Sequence, residues 1–115
     1  MNKSDYTPTQ YAQKKDSDTV YITQEVESLL RLKALNLVSA ERDRQIALWG
    51  NVYFKNYLHA ICVLGEEYGE LCEAVNETVN EIKRPELGGK ENMIKEATQV
   101  AAVAIKFIQM LLAEE

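Results

Sequence analysis

At 115 residues and 13.1 kDa the chain has room for one domain. Its 46% hydrophobic and 27% charged residues are those of a folded protein, which excludes disorder as the whole account. With 13 Lys and Arg against 18 Asp and Glu, the formal charge is -5. That balance argues against nucleic acid as a partner, because phosphate contacts need clustered cations, but leaves room for a small phosphorylated ligand held through a divalent metal.

Residues 1–18 are polar, contain Pro8 and show no apolar period; we read 1–20 as a flexible tail and 21–115 as a single all-α domain. No apolar signal core opens the chain, so export is not expected. Helical patterning starts near Thr23, a suitable N-cap with Glu25 in the first turn. Val26, Leu29, Leu30 and Leu37 follow helical spacing, with Lys33 the polar member. A second segment opens at Ser39 and runs through Ile46 and Leu48 to Trp49, with Gly50 as its cap; the two segments are either separate or one continuous helix.

A third segment, from near Tyr53, carries Leu58, Ile61, Leu64, Tyr68, Leu71, Cys72 and Val75 on one broad apolar stripe. Residues 83–89, with Pro85 and the Gly88-Gly89 pair, form a turn. A fourth segment spans about 91–112, and no stretch alternates as a strand would. Residues 100–113 are the most apolar of the chain but are broken by Lys106 and Gln109. A bilayer span needs roughly 18–20 apolar residues, so this is read as a core helix without a membrane partner. Cys62 and Cys72, roughly 15 Å apart along one helix, are too distant for a disulfide, and two free thiols fit a reducing cytoplasm.

The third segment also holds Glu66, Glu67, Glu70, Glu73 and Glu77. Wheel geometry puts Glu66, Glu73 and Glu77 nearly opposite the apolar stripe, as solvated residues. Glu67 and Glu70 lean toward its edge beside Ala60, Val63 and Ala74, and their i, i+3 spacing lets both carboxylates reach one place. On the fourth segment Glu96 shares the direction of Val100, Val103 and Phe107. A carboxylate there costs several kcal/mol to desolvate unless it is paired or binds a cation; otherwise it is a wet residue near a helix start, offsetting the dipole.

In an antiparallel hairpin, residues facing each other have a constant index sum. Glu70 with Glu96 and Glu67 with Gln99 share one sum, which centres the turn near Lys83. The Pro85 to Gly89 turn alone would centre it about three residues later, an axial slip of roughly 9 Å per helix pair. The pairing therefore demands that the third helix stop near residues 78–80. Such an oxygen-only cluster suits Mg²⁺ or Mn²⁺. The single His59 excludes the paired Glu-x-x-His motifs of di-iron bundles and is read as structural. Gly88-Gly89-Lys90 lacks the remaining elements of a phosphate loop, and neither cysteine has a neighbouring histidine to make it a nucleophile.

Residues 61–70, ICVLGEEYGE, resemble the E-E-x-x-E motif of the all-α nucleotide pyrophosphohydrolases, the MazG-like superfamily. Glu96-Ala97-Thr98-Gln99 stands where that superfamily has a second motif, E-x-x-D. Glu41-Arg42-Asp43-Arg44-Gln45, followed by Trp49-Gly50, is similar to the helix before the first motif in small phage-type members. The resemblance covers about residues 39–112 and implies a MazG-like helical bundle. The long third helix, and a fourth that is apolar nearly all round, more than one neighbour can cover, point to a homodimer or homotetramer that completes the bundle. The resemblance also implies Mg²⁺-dependent (or Mn²⁺-dependent) hydrolysis of a nucleoside triphosphate to a monophosphate and pyrophosphate. Carried over by position, Glu67, Glu70 and Glu96 hold metal, with Gln99 in the place of the usual Asp. Glu66 is a further ligand or orients the attacking water.

Gln99 coordinates without contributing charge, so one metal should bind more weakly. That leaves a nucleotide-binding protein with little turnover as an alternative, beside a helical interaction module with a merely solvated acidic face. For substrate, Gln45 and Trp49 share a helix face and suit a base, unless Trp49 is simply core. Lys83, Arg84 and Lys106 are either phosphate cations or solvated surface.

Overall fold

The computed structural model describes residues 20–80 and 85–114. Three long helices account for nearly all of them, and there is no strand among the described residues: α1 is Gln24–Trp49, α2 Tyr57–Asn80 and α3 Lys90–Ala113. A 3-10 turn, Pro85–Leu87, precedes α3. The expected tail lies outside the described residues apart from Val20, as do Lys83 and Arg84.

The first two predicted segments are one helix. Thr23 caps it, its Oγ1 accepting the Val26 N–H at 3.2 Å. Gly50 ends it at φ +87, with its N–H on the Ile46 carbonyl at 2.8 Å. α2 starts four residues later than expected because Asn56 is the cap: its Oδ1 accepts the His59 N–H at 2.8 Å. That leaves Tyr53 and Phe54 in the preceding loop, where Phe54 is buried.

The chain forms two compact units, Met1–Leu35 and Asn36–Glu115. In the first, Val26, Leu29, Leu30, Leu32 and Leu35 are exposed. The second holds the rest of α1 with α2 and α3, and α2 packs antiparallel to α3. Its core is small: Phe54, Ala60, Val103 and Met110, with Val63, Leu64 and Phe107 against them. Ala60, Ala74 and Ala102 are almost wholly buried, and their short side chains permit close helix approach. Among the described residues no large side chain is completely buried.

α2 is described as far as Asn80, so the stop near residues 78–80 that the carboxylate pairing demands falls at the edge of the described residues. Thr78 secures the return: its Oγ1 donates to the Ala74 carbonyl at 2.6 Å and accepts the Gly89 N–H at 2.7 Å. Gly88 lies so close that a Cβ there would stand 2.9 Å from the Thr78 nitrogen. Asn92 closes the turn by donating to the Glu86 and Gly88 carbonyls at 2.7 and 2.8 Å.

The solvated places expected for Glu73 and Glu77 are corrected by the structure: Glu77 is buried and Glu73 half-buried, leaving only Glu66 of that trio exposed. The physical reason for Glu77 is the return segment, which folds over residues 77 and 78 at Gly88. The apolar stripe of the third segment also stands differently from a core face: Leu58, Ile61, Tyr68, Cys72 and Val75 are exposed, Leu58 at 77%. By length and composition α3 is long and apolar enough to cross a membrane; here it lies along α2 with Ala102, Val103 and Met110 buried.

Candidate metal centre and adjoining pocket

Glu67 and Glu70 reach from α2 toward Glu96 on α3, and one carboxylate oxygen from each lies within 4.8 Å of the others. Glu67 and Glu96 are half-buried and Glu70 is exposed, so Glu96 is not the freely wet helix-start residue of the alternative reading. Gln99 sits one turn further along α3. With its amide turned so that nitrogen faces the carboxylates, it donates to Glu67 Oε2 at 3.2 Å and Glu96 Oε1 at 3.0 Å. Both pairs matched by index sum therefore meet in space.

Electrostatics marks this cluster as uncomfortable when bare. Burial holds the Glu67 carboxyl above its ordinary range, and the charges of Glu70, Glu96, Glu41 and Glu66 push it further. Glu96 is raised by burial first, then by the charge of Glu70, with Lys95 opposing and a hydrogen bond to Glu70 adding to the rise. With hard oxygens, mutual repulsion and a partly dry setting, the three carboxylates form a donor set that could hold a divalent cation such as Mg²⁺ or Mn²⁺.

A pocket of about 310 Å³ adjoins the cluster, with Glu67 and Gln99 on its wall. α1 contributes Glu41, Arg44, Gln45 and Trp49 to it, α3 contributes Val103 and Lys106, and Phe54, His59 and Val63 complete it. The core alternative for Trp49 falls, because its side chain is 66% exposed. Lys106 is half-buried with Nζ 4.4 Å from the Phe54 ring centroid, so it is not a freely solvated cation. Burial, with the charge of Arg42 second, lowers the Lys106 pKa from its ordinary value. Of the five residues expected to meet substrate, Gln45, Trp49 and Lys106 share this pocket; Lys83 and Arg84 lie outside the described residues. Glu66 is exposed and stands apart from the three clustered carboxylates.

One polar network shapes the α1 wall. Buried Arg42 donates from Nε to Gln109 Oε1 at 3.3 Å and from Nη1 to Gln45 Oε1 at 3.2 Å. Gln45 Nε2 then donates to Glu41 Oε2 at 3.1 Å. Arg44 forks onto Glu41 at 2.8 and 2.7 Å, and its guanidinium lies 5.9 Å from the Trp49 ring centroid. The Arg44 hydrogen bond holds the Glu41 carboxyl below its ordinary range, against the opposing effect of burial.

His59 has the structural role expected: Nδ1 accepts the Lys55 N–H at 3.1 Å, and the ring packs edge-on to Phe54. Its place in the pocket was not expected. Nor were roles for Glu41, Arg44 and Phe54. Glu41, Gln45 and Trp49 recur at i, i+4 and i+8, a helical spacing that places all three on one face of α1 and is the signal that points to Glu41. Both cysteines are free and exposed. Compared with the models of known protein families, with curated proteins and with solved structures, the chain matches none.

Proposed function

We propose that this chain is a Mg²⁺-dependent (or Mn²⁺-dependent) nucleoside triphosphate pyrophosphohydrolase of the MazG-like kind, cleaving between the α and β phosphates to give a monophosphate and pyrophosphate. The observation that carries the reading is the convergence of Glu67, Glu70 and Glu96 from two helices, oxygens within 4.8 Å, at the edge of a pocket large enough for a nucleoside. Glu67, Glu70 and Glu96 would hold the cation, with the Gln99 amide turned to offer its oxygen. A cation held there neutralises triphosphate charge and makes nearby water more acidic.

The protein's own residues do the positioning. Glu67, on both the cluster and the pocket wall, joins the phosphate end of a substrate to its nucleoside end. Lys106 faces the same space as the cation available to phosphate oxygens, and Trp49 presents an exposed ring to a base. Glu66, outside the three-carboxylate cluster but near enough for its charge to act on Glu67, is exposed and would orient an attacking water. No protein nucleophile is needed, since phosphoryl displacement rests on alignment and charge neutralisation.

The second reading, nucleotide binding without appreciable turnover, draws on Gln99. Its amide supplies geometry to the cluster but no negative charge. Pyrophosphate release from the common NTPs and dNTPs, with Mg²⁺ and then Mn²⁺, tests the first reading, with Glu70→Gln alongside. Turnover that vanishes in the variant supports it; no release with either metal moves the weight to the second. A helical interaction module with a merely solvated acidic face would show no rise in melting temperature with either cation.

We also propose that the active form is a homo-oligomer. Tyr68, Leu71, Cys72, Val75 and Val79 line an apolar groove on α2, continued by exposed Leu58 and Ile61. Covering a large apolar side chain contributes about 1.5–3 kcal/mol. A two-fold contact counts each side chain twice, enough to offset an association cost on the order of 4–15 kcal/mol.

A further inference from the structure

We infer that Glu41 reads the nucleobase, selecting bases with an exocyclic amino group over uracil and thymine. This rests on the nucleotide reading above and adds to it the class of base.

The argument is one of hydrogen-bond capacity. A carboxylate offers about four acceptor sites. Three are taken: Arg44 Nε on Oε1, and Arg44 Nη2 and Gln45 Nε2 on Oε2. One site remains, on Oε1, and the side chain is only 12% exposed, so bulk water reaches it poorly. A ligand N–H is the group that completes it.

The neighbouring amide cannot turn to suit a keto base instead. Gln45 Oε1 accepts from Arg42, which has only donors, while Gln45 Nε2 donates to ionised Glu41, which has only acceptors. Arg42 is itself fixed by Gln109. Reversing the amide would set nitrogen against guanidinium and oxygen against carboxylate. The wall therefore presents a fixed acceptor. The amino group at position 4 of cytosine satisfies it, whereas the one donor on that edge of uracil, N3–H, is flanked by two carbonyls, so presenting it to Glu41 sets a keto oxygen against the negative charge. Trp49, 66% exposed on the same pocket, supplies a ring for the base to stack on.

Cytosine and uracil differ at this edge while matching in size, and the single tryptophan of the chain lies in the pocket, so its fluorescence reports binding directly. We would titrate the full chain, with Mg²⁺, using the non-hydrolysable α,β-imido analogues of dCTP and dUTP. The cytosine analogue should bind at least about tenfold more tightly, as expected for one charge-assisted hydrogen bond. Glu41→Gln, whose amide can present either group, should bring the two within about threefold. Its Mn²⁺-induced rise in melting temperature serves as the check that fold and cluster persist. Equal affinities, or a preference that survives Glu41→Gln, overturn the inference while leaving the nucleotide reading standing. Binding of neither analogue overturns both. Amino-selective binding without pyrophosphate release supports the inference and removes only the claim of turnover.

Discussion

The two faces of α2 are inverted relative to an ordinary surface helix. The inward face presents Ala60, Val63, Glu67, Ala74 and Glu77, while the outward face presents Leu58, Ile61, Tyr68, Cys72 and Val75. An ordinary amphipathic helix places the second set inside and keeps acids in water. Each face is therefore incomplete in the single chain, for a different reason. Glu67 and Glu96, gathered between α2 and α3, are raised in pKa by burial and by neighbouring carboxylate charge, which a bound cation would relieve. Apolar side chains on the outside order water, which another apolar surface relieves. The inversion teaches that a helix face is assigned by the chemistry of its complement; under the proposed reading the inner complement is ionic and the outer one apolar.

The comparison breaks most sharply at the inner face. Glu70→Gln should lower pyrophosphate release by at least about a hundredfold and abolish the Mg²⁺-dependent rise in melting temperature, measured by coupled assay and calorimetry. A variant with normal turnover would mean that the cluster is only solvated acid. Gln99→Asp should act in the opposite direction, tightening divalent binding by about tenfold and raising turnover. Isothermal titration decides this one; unchanged affinity would remove Gln99 from the ligand set.

On the outer face, Ile61→Asp combined with Val75→Asp should reduce the solution mass to that of one chain, read by light scattering, without loss of helical circular dichroism. An unchanged mass would place the oligomer contact elsewhere. A smaller effect tests the register that brings the acids together. Gly88→Ala forces a Cβ to 2.9 Å from the Thr78 backbone and should cost about 1–3 kcal/mol in denaturant unfolding.

The smallest effect is a pH dependence. Glu67 and Glu96 bind protons more tightly folded than unfolded, so the metal-free protein holds extra protons between the ordinary carboxylate value of about 4.3 and the raised values. Their contribution is greatest below that window and declines as pH rises through it. Glu41, shifted the other way, gains its contribution below the ordinary value and holds it constant through this window, so the decline belongs to Glu67 and Glu96. The melting temperature of the metal-free protein should therefore fall by a few degrees from about pH 5 to about pH 7.5, and Mg²⁺ should flatten the profile. A flat metal-free profile would argue against the repulsion inferred at the inner face.

Much of this architecture is legible in the chain itself, because local chemistry decides it. Thr23 and Gly50 mark the ends of α1 through their own side chain and backbone freedom. The shared index sum of Glu67 with Gln99 and Glu70 with Glu96 anticipates the cluster, because antiparallel helices of equal rise preserve that sum. Only the tertiary structure decides what periodicity leaves open. A wheel separates two faces of α2 but does not say which one meets α3; the small side chains of Ala60, Ala74 and Ala102 favour the close approach that turns the acidic face inward. Glu77 is buried by a return segment that is remote from its own helical pattern, at Gly88. The pocket likewise unites α1 with residues more than fifty positions away, such as Gln99 and Lys106, a proximity that no local spacing encodes.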